Sequence, residues 1–203
     1  MDEVKIFILH TSAIKSDYAY AFSFLQKNRQ EKAEKYINEK DRLLSLGAGY
    51  LLKKYLPDGE IKYTSSGKPY LENGPKFNIS HSGEFAVLAI HPTREVGVDI
   101  ERIDEKKLDA IRFTLLEKEK DMTDINTLFQ IWSNKESVIK CTSNGLKDIR
   151  RVNGLPLEGI RIVEEKEYYT KSMIYENYSL SITLENKQQF NINIKRINIL
   201  EKD

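Results

Sequence analysis

The 203-residue chain has a single cysteine, Cys141, which excludes an internal disulfide and a thiolate metal cluster. It has almost no net charge, formally +1. There is thus no net field to draw a polyanion or an anionic surface, and neither nucleic acid nor membrane is expected as a partner. Long apolar runs are also missing, with none near the roughly 20 residues that cross a bilayer. The opening Met1-Asp2-Glu3-Val4 is acidic where a secretory leader would be basic, and Ile6-Phe7-Ile8-Leu9 is too short for a leader's apolar stretch. A soluble cytoplasmic protein is therefore expected. Its 40% hydrophobic residues suffice for a core, in one large domain or two small ones. No repeat is visible in the sequence.

What is present alternates between helical and strand patterns. Val4 to His10 predicts a strand, and Ser16 to Asn28 and Arg29 to Asn38 carry helical spacing. Lys40 to Leu56 predicts a stronger helix, with Leu43, Leu44, Leu46, Leu51 and Leu52 on its apolar side and Pro57-Asp58-Gly59 ending it. A turn at Ser65 to Pro69 precedes strands at Phe77 to Ser80, Phe85 to His91 and Glu95 to Glu101, the last two joined as a hairpin through His91 to Arg94. Helices are expected again at Glu105 to Phe113, Thr114 to Asp121 and Asp124 to Cys141, with Gly145 as the final stop. Four strands follow, at Ile160 to Glu164, Tyr168 to Tyr175, Ser179 to Glu185 and Phe190 to Ile197, then a charged, fraying tail beyond Leu200. Helices then antiparallel strands, twice over, predict an α+β protein of two similar halves, 1–102 and 103–203.

Two segments stand out chemically. In Val96-Gly97-Val98-Asp99-Ile100-Glu101 the acids alternate with apolar residues, so on a strand both project from one face. In Trp132-Ser133-Asn134-Lys135-Glu136-Ser137-Val138-Ile139-Lys140, Glu136 and Lys140 lie one helical turn apart. Alone, an Asp-x-Glu pair is usually a solvated face, and a Glu–Lys pair at this spacing a weak surface ion pair. Together, acids on a strand and an acid on a helix make a hard-cation site that leaves positions open for a phosphate ester. Phe77-Asn78-Ile79-Ser80-His81-Ser82-Gly83 adds Ser80 and His81 as phosphate donors. Lys68 in Gly67-Lys68-Pro69, and Lys32 and Lys35 on one helix side, are ordinary solvated charges unless an anion faces them.

In this order, the segments Gly67 to Pro69, Phe77 to Ser82, Gly97 to Glu101, Phe113 to Glu117 and Trp132 to Lys140 resemble the 4′-phosphopantetheinyl transferases. The similarity is to the monomeric, pseudo-duplicated type that activates surfactin synthetase, and it covers about residues 31 to 146. The resemblance implies transfer of the phosphopantetheine arm of coenzyme A to a serine of an apo carrier protein, releasing adenosine 3′,5′-bisphosphate. It implies Mg²⁺, with Mn²⁺ as a substitute, on Asp99, Glu101 and Glu136. It places Lys140 near the pyrophosphate, Ser80 and His81 on coenzyme A phosphates, Lys68 at the nucleotide and Lys32 and Lys35 near the 3′-phosphate. Asp99 also falls in the coenzyme A site, and Glu117 matches a helix-borne acid that positions other groups. In this family pattern 1–102 carries the nucleotide contacts with Asp99 and Glu101, and 103–203 carries the helix of Glu136 and Lys140.

The sequence departs from the pattern at Ser143-Asn144-Gly145-Leu146, which lacks a first glycine, at Phe113-Thr114, where Phe-Ser is usual, and at Arg42-Leu43, which keeps an arginine but loses a hydroxyl. Which residues bind the 3′-phosphate, and which carrier protein is served, stay open. So does the base, Glu136 or a metal-bound water, although a carboxylate that both ligates and accepts a proton favours Glu136. A Mg²⁺-dependent nuclease or phosphodiesterase would also cluster acids but would favour a basic surface. An inactive carrier-binding homologue would not need all three acids with Lys140 and His81.

Overall fold

The computed structural model describes residues 2–143 and 146–199. In chain order the elements are β1 (Asp2–His10), α1 (Thr11–Ser16), α2 (Tyr18–Phe24), α3 (Lys27–Glu34), α4 (Glu39–Tyr55), β2 (Ile61–Tyr63), β3 (Pro69–Leu71), β4 (Lys76–Ser82), β5 (Phe85–His91) and β6 (Val96–Arg102). Then follow α5 (Leu108–Arg112), α6 (Ile125–Thr142), β7 (Glu158–Val163), β8 (Lys166–Tyr175), β9 (Tyr178–Glu185) and β10 (Phe190–Ile197), with 3-10 segments at Glu105–Lys107, Glu117–Glu119 and Leu146–Arg151.

Apolar alternation sets the layers. On β1, Val4, Ile6 and Ile8 point one way and Phe7 and Leu9 the other, so both faces of the strand are covered. The first sheet has the order β10-β1-β5-β4, and the second β6-β9-β8-β7. Leu9, Leu88 and Phe77 pack under the first helices, with Leu46, Tyr50 and Leu51 of α4 at the centre. The opposite face of the first sheet meets Val98, Ile100, Leu180 and Ile182 of the second. Helix α6 covers the far face of the second sheet, which gives helices, sheet, sheet, helix in four layers. No helix among the described residues is long and apolar enough to cross a membrane.

The α+β class is borne out, but several details differ. The segment before α4 forms three short helices, and where α2 ends the Gln30 side-chain amide donates to the carbonyls of Phe22 (2.8 Å) and Leu25 (3.1 Å). Ser65 to Pro69 is the tip of a hairpin, β2–β3, with Gly67 at φ 86°. Thr114 to Asp121 forms only a 3-10 turn, for reasons that belong to the site below. The expected β5–β6 hairpin does not form: β6 leaves the first sheet and pairs with β9, its buried Val96, Val98 and Ile100 filling the layer between sheets. Nor is the first sheet wholly antiparallel, since β10 returns to pair with β1 in parallel. Each sheet thus takes a strand from the other half of the chain. Gly145, the expected helix stop, and the tail beyond Leu200 lie outside the described residues; α6 leaves its helical course at Ser143, φ 62°.

Candidate active site

Strand β6 directs Gly97, Asp99 and Glu101 toward α6. Gly97 is required by closeness: a Cβ there would lie 2.0 Å from the Ser137 carbonyl oxygen and 2.5 Å from the Cys141 nitrogen. The helix can sit this low because its inner residues are small and hydroxylated. Ser133 Oγ meets Ser179 (2.6 Å) and Ser181 (2.7 Å), and Ser137 Oγ meets Thr183 (2.7 Å), so the buried hydroxyls satisfy one another. That seating brings Glu136 and Lys140 to the acids of β6.

Lys140 Nζ bonds Asp99 Oδ1 at 2.5 Å and Ser80 Oγ at 3.0 Å, and Ser80 Oγ donates to the same Asp99 oxygen at 3.0 Å. Burial pulls the Lys140 pKa down, but Asp99, Glu136 and Glu101 outweigh it and hold the ammonium above its ordinary value. Glu136 is only 8% exposed. Burial first, then repulsion from Asp99, pushes its pKa up to about 7. Among the described residues its carboxylate has no hydrogen-bond or ion-pair partner. Glu101 Oε2 accepts from Ser82 Oγ (3.0 Å) and Lys107 Nζ (2.8 Å).

Of these residues, Glu136 and Lys140 line a cleft of about 560 Å³ between α3, the β2–β3 hairpin, β4 and α6. Its charged lining is Arg29, Lys32, Lys68, Glu136 and Lys140. Lys68 is nearly buried, its Nζ tied to Glu95 (2.7 Å) and to the Cys141 carbonyl (3.0 Å) at the C-terminal end of α6, where a cation is favoured. Ser80 and His81 turn to opposite faces of β4: Ser80 joins Asp99, while His81 lines an adjoining 150 Å³ pocket with Arg29, Lys32 and Ser45. Partial burial, then Lys140, lowers the His81 pKa, so the ring is neutral near pH 7. Lys35, by contrast, is exposed at the end of α3 and outside this lining. Leu43 is buried in the core, and the hydroxyl absent there is found at Ser45.

The acid that positions other groups is Glu119 rather than Glu117. Glu117 is 89% exposed and pairs with Lys120. Glu119, fully buried, binds Lys135 Nζ at 2.6 Å and accepts from the Leu116 and Gly154 backbone N–H groups, both at 2.7 Å. Lys135 also donates to the Thr114 carbonyl at 2.8 Å, so the pair ties α6 to the loops on either side. This inward pull is why Thr114 to Asp121 does not form a regular helix.

No three His, Cys, Asp or Glu side chains among the described residues are close enough to hold a metal ion together as they stand. Lys140 and Lys107 instead neutralise Asp99 and Glu101. The donor set nevertheless fits a hard cation. Asp99 is 2% exposed and its Oδ2 is buried with no partner. Next to it, Glu136 is a carboxylate whose ionisation is opposed by its surroundings, a state that a divalent ion would relieve.

Acids and cations converging on one cleft of an α+β protein form a donor set suited to a phosphate ester and a hard cation. Residues 11–93 match the family model described as 4′-phosphopantetheinyl transferase, N-terminal, and residues 95–194 match that of the 4′-phosphopantetheinyl transferase superfamily. The chain belongs to this superfamily, as its motifs resembled. It is 33% identical over 148 residues to 4′-phosphopantetheinyl transferase gsp of Aneurinibacillus migulanus, covering 63% of this chain and 61% of that one. It is 30% identical over 138 residues to 4′-phosphopantetheinyl transferase HetI of Nostoc sp., 58% of each chain. To the L-aminoadipate-semialdehyde dehydrogenase-phosphopantetheinyl transferase of Xenopus laevis it is 28% identical over 152 residues, 60% of this chain and 50% of that one. The matches thus span about half to three-fifths of these relatives' lengths.

Proposed function

We propose that this protein transfers the 4′-phosphopantetheine arm of coenzyme A to a serine of an apo carrier protein, releasing adenosine 3′,5′-bisphosphate. The observation that carries the reading is the meeting of Asp99, Glu136 and Lys140 at the end of a cleft whose other charges, Arg29, Lys32 and Lys68, are cationic. Phosphoryl transfer asks a protein mainly for positioning and charge neutralisation. Arg29 and Lys32 with His81 face one end of the polyanionic substrate, and Lys68 and Lys140 the other. Lys35 contributes least. Mg²⁺, or Mn²⁺ in its place, held by Asp99, Glu101 and Glu136, would neutralise the pyrophosphate and polarise the reacting phosphorus.

The serine oxygen forms its bond to the phosphorus that carries the pantetheine, and the bond from that phosphorus to the bridging oxygen breaks. The adenosine bisphosphate leaves with the bond's electrons. Glu136 takes the serine proton, as the carboxylate lining the cleft that has no hydrogen-bond or ion-pair partner among the described residues. Lys140 stabilises charge on the leaving phosphate.

The reading takes the enzyme as a monomer, since one chain supplies every group named, and as cytoplasmic. Two pseudo-equivalent halves, 1–102 and 103–203, are supported by one long helix in each, α4 and α6, packed on a four-stranded sheet that draws three strands from that half and one from the other. The test is an intact-mass assay with coenzyme A, Mg²⁺ and a panel of apo carrier proteins. A carrier should gain the mass of one phosphopantetheine arm. No gain with any carrier would overturn the activity, and full transfer in excess EDTA would overturn the metal.

A further inference from the structure

Strand β6 is an edge strand, so alternate backbone N–H groups point away from β9. Those of Val98, Ile100 and Arg102 would be orphans, yet each finds a side-chain oxygen on β4. Val98 N donates to Asn78 Oδ1 at 3.0 Å, Ile100 N to Ser80 Oγ at 3.3 Å and Arg102 N to Ser82 Oγ at 3.1 Å. The edges of the two sheets are therefore joined by side-chain rungs at the two-residue period of β4, where a backbone ladder would ordinarily run.

Two rungs do more than satisfy an N–H group. A hydroxyl that accepts with its lone pair still has a proton to donate. Ser80 gives its proton to Asp99, within the site already described. Ser82 gives its proton to Glu101 Oε2 at 3.0 Å. Ser82 is 9% exposed and does not line the cleft, so its hydroxyl is committed to β6 on both counts. Its competitor is Lys107, 2.8 Å from the same oxygen but with a side chain 49% exposed. Without Ser82, only a solvated lysine would hold the Glu101 carboxylate, and it would draw the carboxylate outward.

We propose that Ser82 is a positioning residue for Glu101, keeping its carboxylate beside Asp99 in the orientation that receives a divalent cation. This rests on the proposed reading of Glu101 as a metal ligand. Metal-binding carboxylates depend on such outer hydrogen bonds for much of their affinity.

The test is Mn²⁺ binding, followed by the loss of the free-ion electron paramagnetic resonance signal, with coenzyme A present and no carrier protein. Ser82→Ala should weaken Mn²⁺ binding about tenfold or more, and Ser82→Thr, which keeps the hydroxyl, should stay within about twofold of wild type. Thermal melts of both variants ensure that binding is read well below unfolding. Ser82→Ala binding Mn²⁺ as wild type does would overturn the proposal, as would Ser82→Thr losing as much as Ser82→Ala. A wild-type protein that binds no Mn²⁺ would remove the metal reading itself, and the proposal with it.

Discussion

Replacing Glu136 by glutamine should stabilise the metal-free protein at alkaline pH. The folded Glu136 carboxyl keeps its proton up to about pH 7, whereas an unfolded chain releases it at the ordinary value of 4.5. Between those values the folded state binds more protons, so this group's contribution to stability falls as pH rises and is fully lost above about pH 7. At about 1.4 kcal/mol per pH unit, the gap amounts to about 3 kcal/mol. Glutamine fills the same space and never ionises, so its protein escapes that loss. Urea unfolding in EDTA at about pH 4 and about pH 8.5 reads the difference. The variant should match wild type at the lower pH and exceed it by about 3 kcal/mol at the higher. A wild type that holds its stability against the variant across this window would refute the reasoning, because Glu136 would then not be a carboxylate held against its charge.

Other consequences follow from the same contacts. Lys135→Met should cost about 3–5 kcal/mol by leaving Glu119 as a lone buried charge, and adding Glu119→Gln should recover much of it in the same urea assay. Lys32→Ala should weaken coenzyme A about tenfold by calorimetry, the value of one charge-assisted hydrogen bond, while Lys35→Ala leaves it unchanged. Residues 1–102 and 103–203 expressed separately should each fail to give a folded circular dichroism spectrum, since β6 and β10 each pair in the other half's sheet.

Local pattern carried the fold a long way. The apolar run from Phe85 to His91 marks β5 to the residue, and the motif residues Ser80, Asp99, Glu136 and Lys140 do converge. What the chain hides is non-local. Nothing in the His91 to Arg94 turn says that β6 will cross to β9, because that choice is made by Leu180 and Ile182 far along the chain. Similarly, β10 meets β1 across almost the whole sequence. Glu117 and Glu119 are near-equivalents in a charged run, and only Lys135, buried opposite, selects the second. Arg29 sits one turn before Lys32 on the same helix, and only the cleft they both line sets it apart from the other cations of that charged segment. The side-chain rungs, in contrast, are legible locally, because Asn78, Ser80 and Ser82 repeat every second residue, the period of side chains on one face of a strand.

The most direct measurement is the rate of phosphopantetheine transfer by Glu136→Gln at saturating coenzyme A and Mg²⁺, against wild type under identical conditions. The carboxylate is placed here as both metal ligand and proton acceptor. Its loss should therefore lower kcat roughly 10²-fold or more, in a protein whose near-ultraviolet spectrum is unchanged. A variant that transfers the arm at the wild-type rate would show that the chemistry takes place elsewhere.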